Sequence, residues 1–217
     1  MLALMNVVTA VTFLGFYASL SWLPSALATG IETAIGPAVL ALFGLAGYGQ
    51  PEQGWVAAAV LVLLGLGIAW TFTSTGEIQP SAGAALGLAL VVGAGAAALV
   101  LISAELGRRG IDPVYVTAHR FHLTYPCGGT LLIVVGGPSR RWMAEPPALL
   151  LLGVLMVAVP LFLLQARLQR ADPMVAMVLL TTLPGATYLA ETAFHGGFNA
   201  TSLTLICCLI AVAPWYV

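Results

Sequence analysis

Eight apolar segments, each long enough to cross a lipid bilayer, make up most of this sequence. We place them near 2–20, 24–46, 54–73, 82–104, 113–136, 147–166, 172–192 and 200–217, separated by short breaks rich in glycine, proline and charge. About 20 helical residues span the ~30 Å hydrocarbon core at 1.5 Å per residue. The segments lack the polar and apolar alternation of barrel strands, and lipid offers no partner for unpaired backbone groups. The sequence therefore predicts eight membrane-spanning helices.

The composition agrees with a chain that lies in lipid. Hydrophobic residues make up 60% of the 217 residues and charged residues only 7%, whereas soluble domains carry about 25% charged residues. The net charge of −1 argues against a nucleic acid as a partner. We therefore predict an all-α polytopic membrane protein that forms a single domain, 1–217, with the lipid bilayer as its main partner.

Some small side chains in the segments are predicted to pack between helices. Cys127, Cys207 and Cys208 lie in apolar runs and fit no metal-binding or redox spacing, so we expect buried, unreactive thiols. Gly83 and Gly87 form a GxxxG pattern in the fourth segment, which predicts close contact with a neighbouring helix. Neither feature says anything about a substrate.

The arginines predict the orientation of the chain. If the N-terminus is cytoplasmic, the cations in the breaks fall four inside and two outside: Arg108, Arg109, Arg167 and Arg170 against Arg140 and Arg141. Arg120, two turns into the fifth segment, would extend its side chain to the same inner surface. An even number of spans returns the chain to its starting side, so both termini are predicted to be cytoplasmic.

Two stretches of the chain share one plan, in which a helix, a tight break and a small-residue helix are followed by a mid-helix proline. They are YASLSWLPSALATGIETAIGPAVLAL and LQARLQRADPMVAMVLLTTLPGATYL, with Pro37 and Pro184 as the prolines. With DPVYVTAHRFHLT, these stretches make the chain resemble the EamA-like branch of the drug/metabolite transporter superfamily, ten-helix inner-membrane carriers built from inverted halves. The resemblance implies an incomplete first half over 1–75 and a second half over 78–217.

The resemblance carries two departures. The eight segments correspond to the third to tenth helices of the family, so we expect a truncated gene product or a misplaced start, or else a partner that supplies two helices. The family usually has a glutamate after the proline helix of each half, and here those places read GYGQPEQG and FHGGFNAT, so only a displaced Glu52 could serve. The resemblance thus implies that the chain is the remnant of a ten-helix inverted-repeat transporter fold.

The function that the resemblance implies is transport. We expect an exporter of small organic metabolites such as amino acids, working by alternating access in the bacterial inner (plasma) membrane, with no enzymatic activity, cofactor or metal. The alternative is a truncated membrane subunit or remnant that does not transport. Whether the chain forms a homo-oligomer is left open by the sequence.

Two charged residues are the main candidates for substrate binding. Glu32 lies near the middle of the second segment, where an acidic residue costs about 2.5–3.5 kcal/mol on insertion scales. We expect it to bind a substrate ammonium or to exchange a proton, and the alternative is a protonated carboxyl bonded to a neighbouring helix. Arg120 would bind an anionic group such as a carboxylate, or anchor its helix at the headgroups, and it is the predicted partner of Glu32.

Three further residues complete the predicted binding site. Asn6 and Tyr17 share one face of the first helix with Thr9 and Phe13, which predicts either a cavity wall or helix packing. Tyr125 belongs to the polar cluster around Arg120. The predicted substrate-binding residues are therefore Glu32, Tyr17, Arg120, Tyr125 and Asn6.

An intramembrane metal-dependent hydrolase is the second class of function, using His119, His122, His195 and Glu191. Counting 1.5 Å per residue places His119 roughly 9 Å and Glu191 roughly 28 Å from the inner face. Metal ligands must lie within ~2–2.5 Å of one point, so these groups do not share an ion if the segment boundaries hold. The sequence favours the carrier.

The orientation can be tested with single cysteines in a cysteine-free background. An impermeant thiol reagent added outside should label a cysteine at position 77 or 142 and should not label one at 109 or 169, because the arginines favour the inside. Labelling of position 109 from outside would overturn the orientation and the depth argument that depends on it.

Overall fold

The computed structural model describes residues 1–43, 83–135, 151–196 and 198–212, together with residues 59, 62, 63, 65–67 and 70, and these residues contain helices and no strand. Their helices are α1 Leu2–Ser19, α2 Ser25–Phe43, α3 Gly83–Arg108, α4 Pro113–His119, α5 Thr124–Val135, α6 Val159–Leu168, α7 Pro173–Leu180, α8 Leu183–His195 and α9 Ala200–Val212. Four helical spans are long and apolar enough to cross a membrane: Leu2–Ser19, Ser25–Leu42, Gly83–Arg108 and Leu151–Leu168. The predicted all-α membrane class is confirmed at this level.

Helix α3 lies at the centre of the packing. It contacts α1, α2, α6 and α7, and it contributes buried residues to each of the three apolar clusters. Ala85 and Ala89 belong to an apolar cluster that also contains residues of α2, α8 and α9, while Ala97 and Val100 belong to a cluster with residues of α2, α6 and α7. Small side chains allow two helix backbones to approach closely, so the small residues of α3 determine how near its neighbouring helices lie.

The close approach of α2 to α3 involves Gly93 of α3 and not the predicted GxxxG pair. A Cβ placed on Gly93 would lie 2.8 Å from the carbonyl oxygen of Glu32 and 3.0 Å from Cβ of Ile35. A Cβ on Gly83 or Gly87 would meet no atom of the described residues within 4 Å, so the close contact predicted there is not found among them. Spacing defines a helical face but not what that face meets.

The fifth and seventh segments are each broken in two, although the sequence predicts one helix for each. Helix α4 ends at His119 before α5 begins at Thr124, and α7 ends at Leu180 before α8 begins at Leu183. Pro184 explains the second break, because its ring clashes with the carbonyl four residues earlier, that of Leu180. Pro184 therefore starts a helix and does not lie mid-helix as predicted.

Two other prolines lie inside helical spans without breaking them. Pro37 lies within α2. Pro160 lies in the first turn of α6, directly after the π-helical turn Val154–Ala158. A π turn adds one residue to the helix, which accommodates the missing proline N–H without ending the span. A proline thus has different effects at different positions, and only the local backbone shows which.

The three cysteines are exposed, so the prediction of buried thiols is wrong. Cys127 lies on α5, and Cys207 and Cys208 lie on α9. Large apolar side chains are exposed on the same surfaces, among them Leu131, Leu132 and Ile133. An apolar run in a membrane protein faces lipid as readily as the core, so apolar neighbours do not imply burial.

Several predictions fall outside the described residues. Most of the third segment, 54–73, lies there, as do Glu52, Arg140, Arg141 and the end of the eighth segment. The division at 75–78 between two halves lies there as well.

Two glycine substitutions on α3 should differ in sign. Gly93→Ala should lower the free energy of unfolding by about 1–3 kcal/mol, because the new methyl group meets the backbone of Glu32, which cannot rotate away. Gly87→Ala should be neutral or slightly stabilising, since the site is open and alanine favours a helix. Unfolding in detergent would measure both, and equal effects would contradict the packing of α2 on α3.

Candidate functional site

Arg120 is a buried charge in the interior of the helix bundle. Its side chain is 3% exposed, and it lies at the break between α4 and α5, not within a continuous helix as predicted. Its Nη1 donates a hydrogen bond to Oε1 of Gln165 on α6, at 2.9 Å. The guanidinium carbon lies 5.1 Å from the centre of the Phe121 ring. Arg120 therefore points into the protein.

Gln165 and Ser103 complete this polar cluster, and sequence reasoning missed both. Both side chains are fully buried. Ser103 Oγ on α3 donates to the same Gln165 Oε1, at 3.4 Å. The signal for Gln165 was available, since it is an uncharged polar residue inside the apolar run VPLFLLQARL, and polar groups at membrane depth are typical of functional sites.

Arg120 has no carboxylate partner among the described residues. The ion pairs found there both involve Glu105, which binds Arg108 and Arg109 at the end of α3. The predicted pair between Arg120 and Glu32 is not formed. A buried charge without a counter-charge is costly, so the position of Arg120 needs a further explanation.

Glu32 lies on α2 where this helix meets α3. Its side chain is partly buried, and its carbonyl oxygen faces Gly93. Within the described ranges its carboxylate makes no hydrogen bond to another side chain or to the backbone. The alternative interpretation of Glu32, a carboxyl that is hydrogen-bonded to a neighbouring helix, is therefore not supported by a bond among the described residues.

Asn6 connects α1 to the break between α4 and α5. Its Nδ2 donates to the carbonyl oxygen of His119 at 2.7 Å and to that of Leu2 at 3.1 Å. Its Oδ1 accepts from the backbone N–H of Leu123 at 3.4 Å. The amide therefore bonds backbone groups at the break. This is the helix-packing role, the alternative to a place in a cavity wall.

The two predicted tyrosines lie on the surface. Tyr17 is 62% exposed and its ring packs edge-on against Phe16, with centroids 6.0 Å apart. Tyr125 is 72% exposed and its ring lies 5.9 Å from that of Phe121. Phe121 in turn packs edge-on against Phe13 of α1, at 5.3 Å. Tyr125 and Arg120 both lie near the Phe121 ring, but only the arginine is buried.

The acidic and histidine residues of the hydrolase hypothesis have other partners. Oε2 of Glu191 on α8 accepts from Ser25 Oγ at 3.0 Å and from the backbone N–H of Ala26 at 3.1 Å, so it caps the N-terminus of α2. His119 and His122 each direct Nδ1 to a backbone carbonyl oxygen, that of Tyr115 and that of His119. No group of three metal-ligating side chains occurs in the described part of the chain. The His195 side chain lies outside it.

Comparisons of the chain with protein-family models, curated proteins and solved structures give no match. The described residues define an all-helical class, and four of their helical spans are long and apolar enough to cross a membrane. The likeness to EamA-like carriers therefore depends on the sequence stretches alone.

Replacing Asn6 should weaken the break between α4 and α5. Asn6→Ala removes one of the two donors at the carbonyl oxygen of His119, where His122 Nδ1 remains, and it removes the acceptor of the Leu123 N–H, so it should cost about 0.5–1.5 kcal/mol of unfolding free energy. Val7→Ala on the exposed side of the same turn is the control and should change little. Equal effects of the two substitutions on unfolding in detergent would show that the Asn6 amide does not hold the break.

Proposed function

We propose that this protein is a membrane carrier of small organic metabolites, of the EamA-like type, which exports solutes such as amino acids by alternating access. The proposed location of the protein is the bacterial inner membrane. The observation that carries the proposal is a pair of opposite charges, Glu32 and Arg120, held in the helix bundle without pairing with each other.

The cost of these charges supports a binding role. Each ionisable side chain at membrane depth costs several kcal/mol unless a partner compensates it, and a polar or apolar residue would fill the same space at lower cost. Glu32 and Arg120 have no ionic partner among the described residues. An amino acid carries an ammonium and a carboxylate, so it has a group that could pair with each of these charges as it passes through the protein.

The interrupted helices support a carrier as well. Carriers commonly form their substrate sites where a membrane helix is discontinuous, because the break presents polar groups in the interior. The fifth and seventh segments are both interrupted here, and Arg120 lies at the first of the two breaks. Export, and not uptake, is proposed by analogy with the family that the sequence resembles.

The test is Glu32→Gln in proteoliposomes loaded with radiolabelled amino acids. This near-isosteric change removes the negative charge, and loss of a charged hydrogen bond is worth about 1.5–3 kcal/mol, so flux at low substrate should fall roughly tenfold or more. The pH dependence of flux should be lost with the carboxylate. Glu105→Gln is the matched control, because Glu105 lies at the exposed end of α3 with its two arginines, and flux should stay unchanged.

Two outcomes would contradict the proposal. Flux of Glu32→Gln equal to that of the parent, with the same pH profile, would make Glu32 structural and the site assignment wrong. No flux of any amino acid by a folded parent protein would favour the alternative, a membrane subunit that does not transport.

A further inference from the structure

We infer that Arg120 forms a carboxylate-binding subsite, in which the Nε and Nη2 edge of the guanidinium binds the two oxygens of one carboxylate while Gln165 holds the guanidinium in place through Nη1. The inference rests on the proposed function and names which end of the substrate binds here. It also assigns a role to Gln165, which the sequence does not single out.

The hydrogen bonds already made fix how the two side chains are oriented. Gln165 Oε1 accepts from Arg120 Nη1 and from Ser103 Oγ, and both of these groups can donate. The other arm of the Gln165 amide must therefore be the nitrogen. Since Arg120 uses Nη1 for this bond, its opposite edge, Nε and Nη2, is left for a different partner.

Two donors of the pair are buried and unpaired. Arg120 Nε and Gln165 Nε2 have no hydrogen-bond partner among the described residues, although the side chains are 3% and 0% exposed. A buried N–H without an acceptor costs about 1–3 kcal/mol, and more when the group is charged. Arg120 Nε lies on the edge of the guanidinium that Gln165 leaves free, so an acceptor is missing at that edge.

The missing acceptor must also be negative. Arg120 stays charged, and the described residues place no carboxylate against it. The Nε and Nη2 edge presents two parallel N–H groups, a spacing that matches the two oxygens of a carboxylate and gives a halide only one point of contact. The Phe121 ring lies over the guanidinium and limits access of water to it. A carboxylate therefore fits this subsite better than chloride.

Acetate is the smallest probe for the subsite. The full chain is unfolded thermally in detergent while sodium acetate replaces sodium chloride at constant ionic strength, and a second titration raises sodium chloride alone. Acetate should raise the unfolding temperature in a saturable manner, because it binds the folded state, and chloride should not. A parent protein without a saturable acetate effect, or one in which chloride acts equally, would overturn the inference.

Two substitutions locate the binding. Gln165→Glu places a carboxylate beside Arg120, so it should abolish the acetate effect and raise the unfolding temperature without acetate. Arg120→Lys keeps the charge but loses the two-point contact, so acetate should bind roughly tenfold more weakly or worse. Arg167→Lys, at an exposed position on the same helix as Gln165, is the control and should keep the parent response.

Acetate binding unchanged in Gln165→Glu and in Arg120→Lys would place the anion elsewhere and overturn the subsite. The measurement needs no flux, so it separates this inference from the proposed function. Acetate binding that depends on Arg120 in a protein without flux would leave the subsite standing and contradict transport alone.

Discussion

An unpaired backbone group has no partner in lipid, and this constraint decides how the interrupted helices of the protein are built. The break between α4 and α5 frees backbone groups of His119 and Leu123, and the Asn6 amide of α1 bonds both. Because α1 supplies these bonds, it must lie against the break. The break in turn brings Arg120 inside the bundle instead of leaving it on a helix surface. The buried position of Arg120 therefore depends on the hydrogen bonds that Asn6 makes to the backbone at the break.

The small residues of α3 are the second requirement. Ala85, Ala89 and Gly93 recur every four residues on one buried face, and this face lets α2 approach closely enough for the Glu32 carbonyl to meet Gly93. The same helix carries Ser103 nearly three turns further on, where it bonds Gln165. One helix thus positions elements of both charged sites, with α2 at one level and α6 at another, so a change in its packing would move them together.

The sequence predicts the class of fold well and the site only in part. Hydropathy and length predict where helical segments lie because these depend on local composition, and residues 1–43 and 83–108 follow the prediction closely. The break at Thr181 was missed because a proline such as Pro37 can also lie within a helix. The break at Arg120 was missed as well. Exposure of Cys127 was missed because lipid and core have the same polarity. Gln165 was missed because its partner lies 45 residues away in sequence.

The acidic side chains of the helices show how a charge is accommodated at different depths. Glu105 at the exposed end of α3 binds two arginines, and Glu191 caps the N-terminus of α2, where the helix dipole favours a negative charge. Both have partners within the chain, so their presence needs no ligand. Glu32 has no such partner in the described ranges, and neither has the cation of Arg120. Since the chain supplies partners for charges where structure alone requires them, the two charges left without one are the groups best suited to bind a solute that enters and leaves.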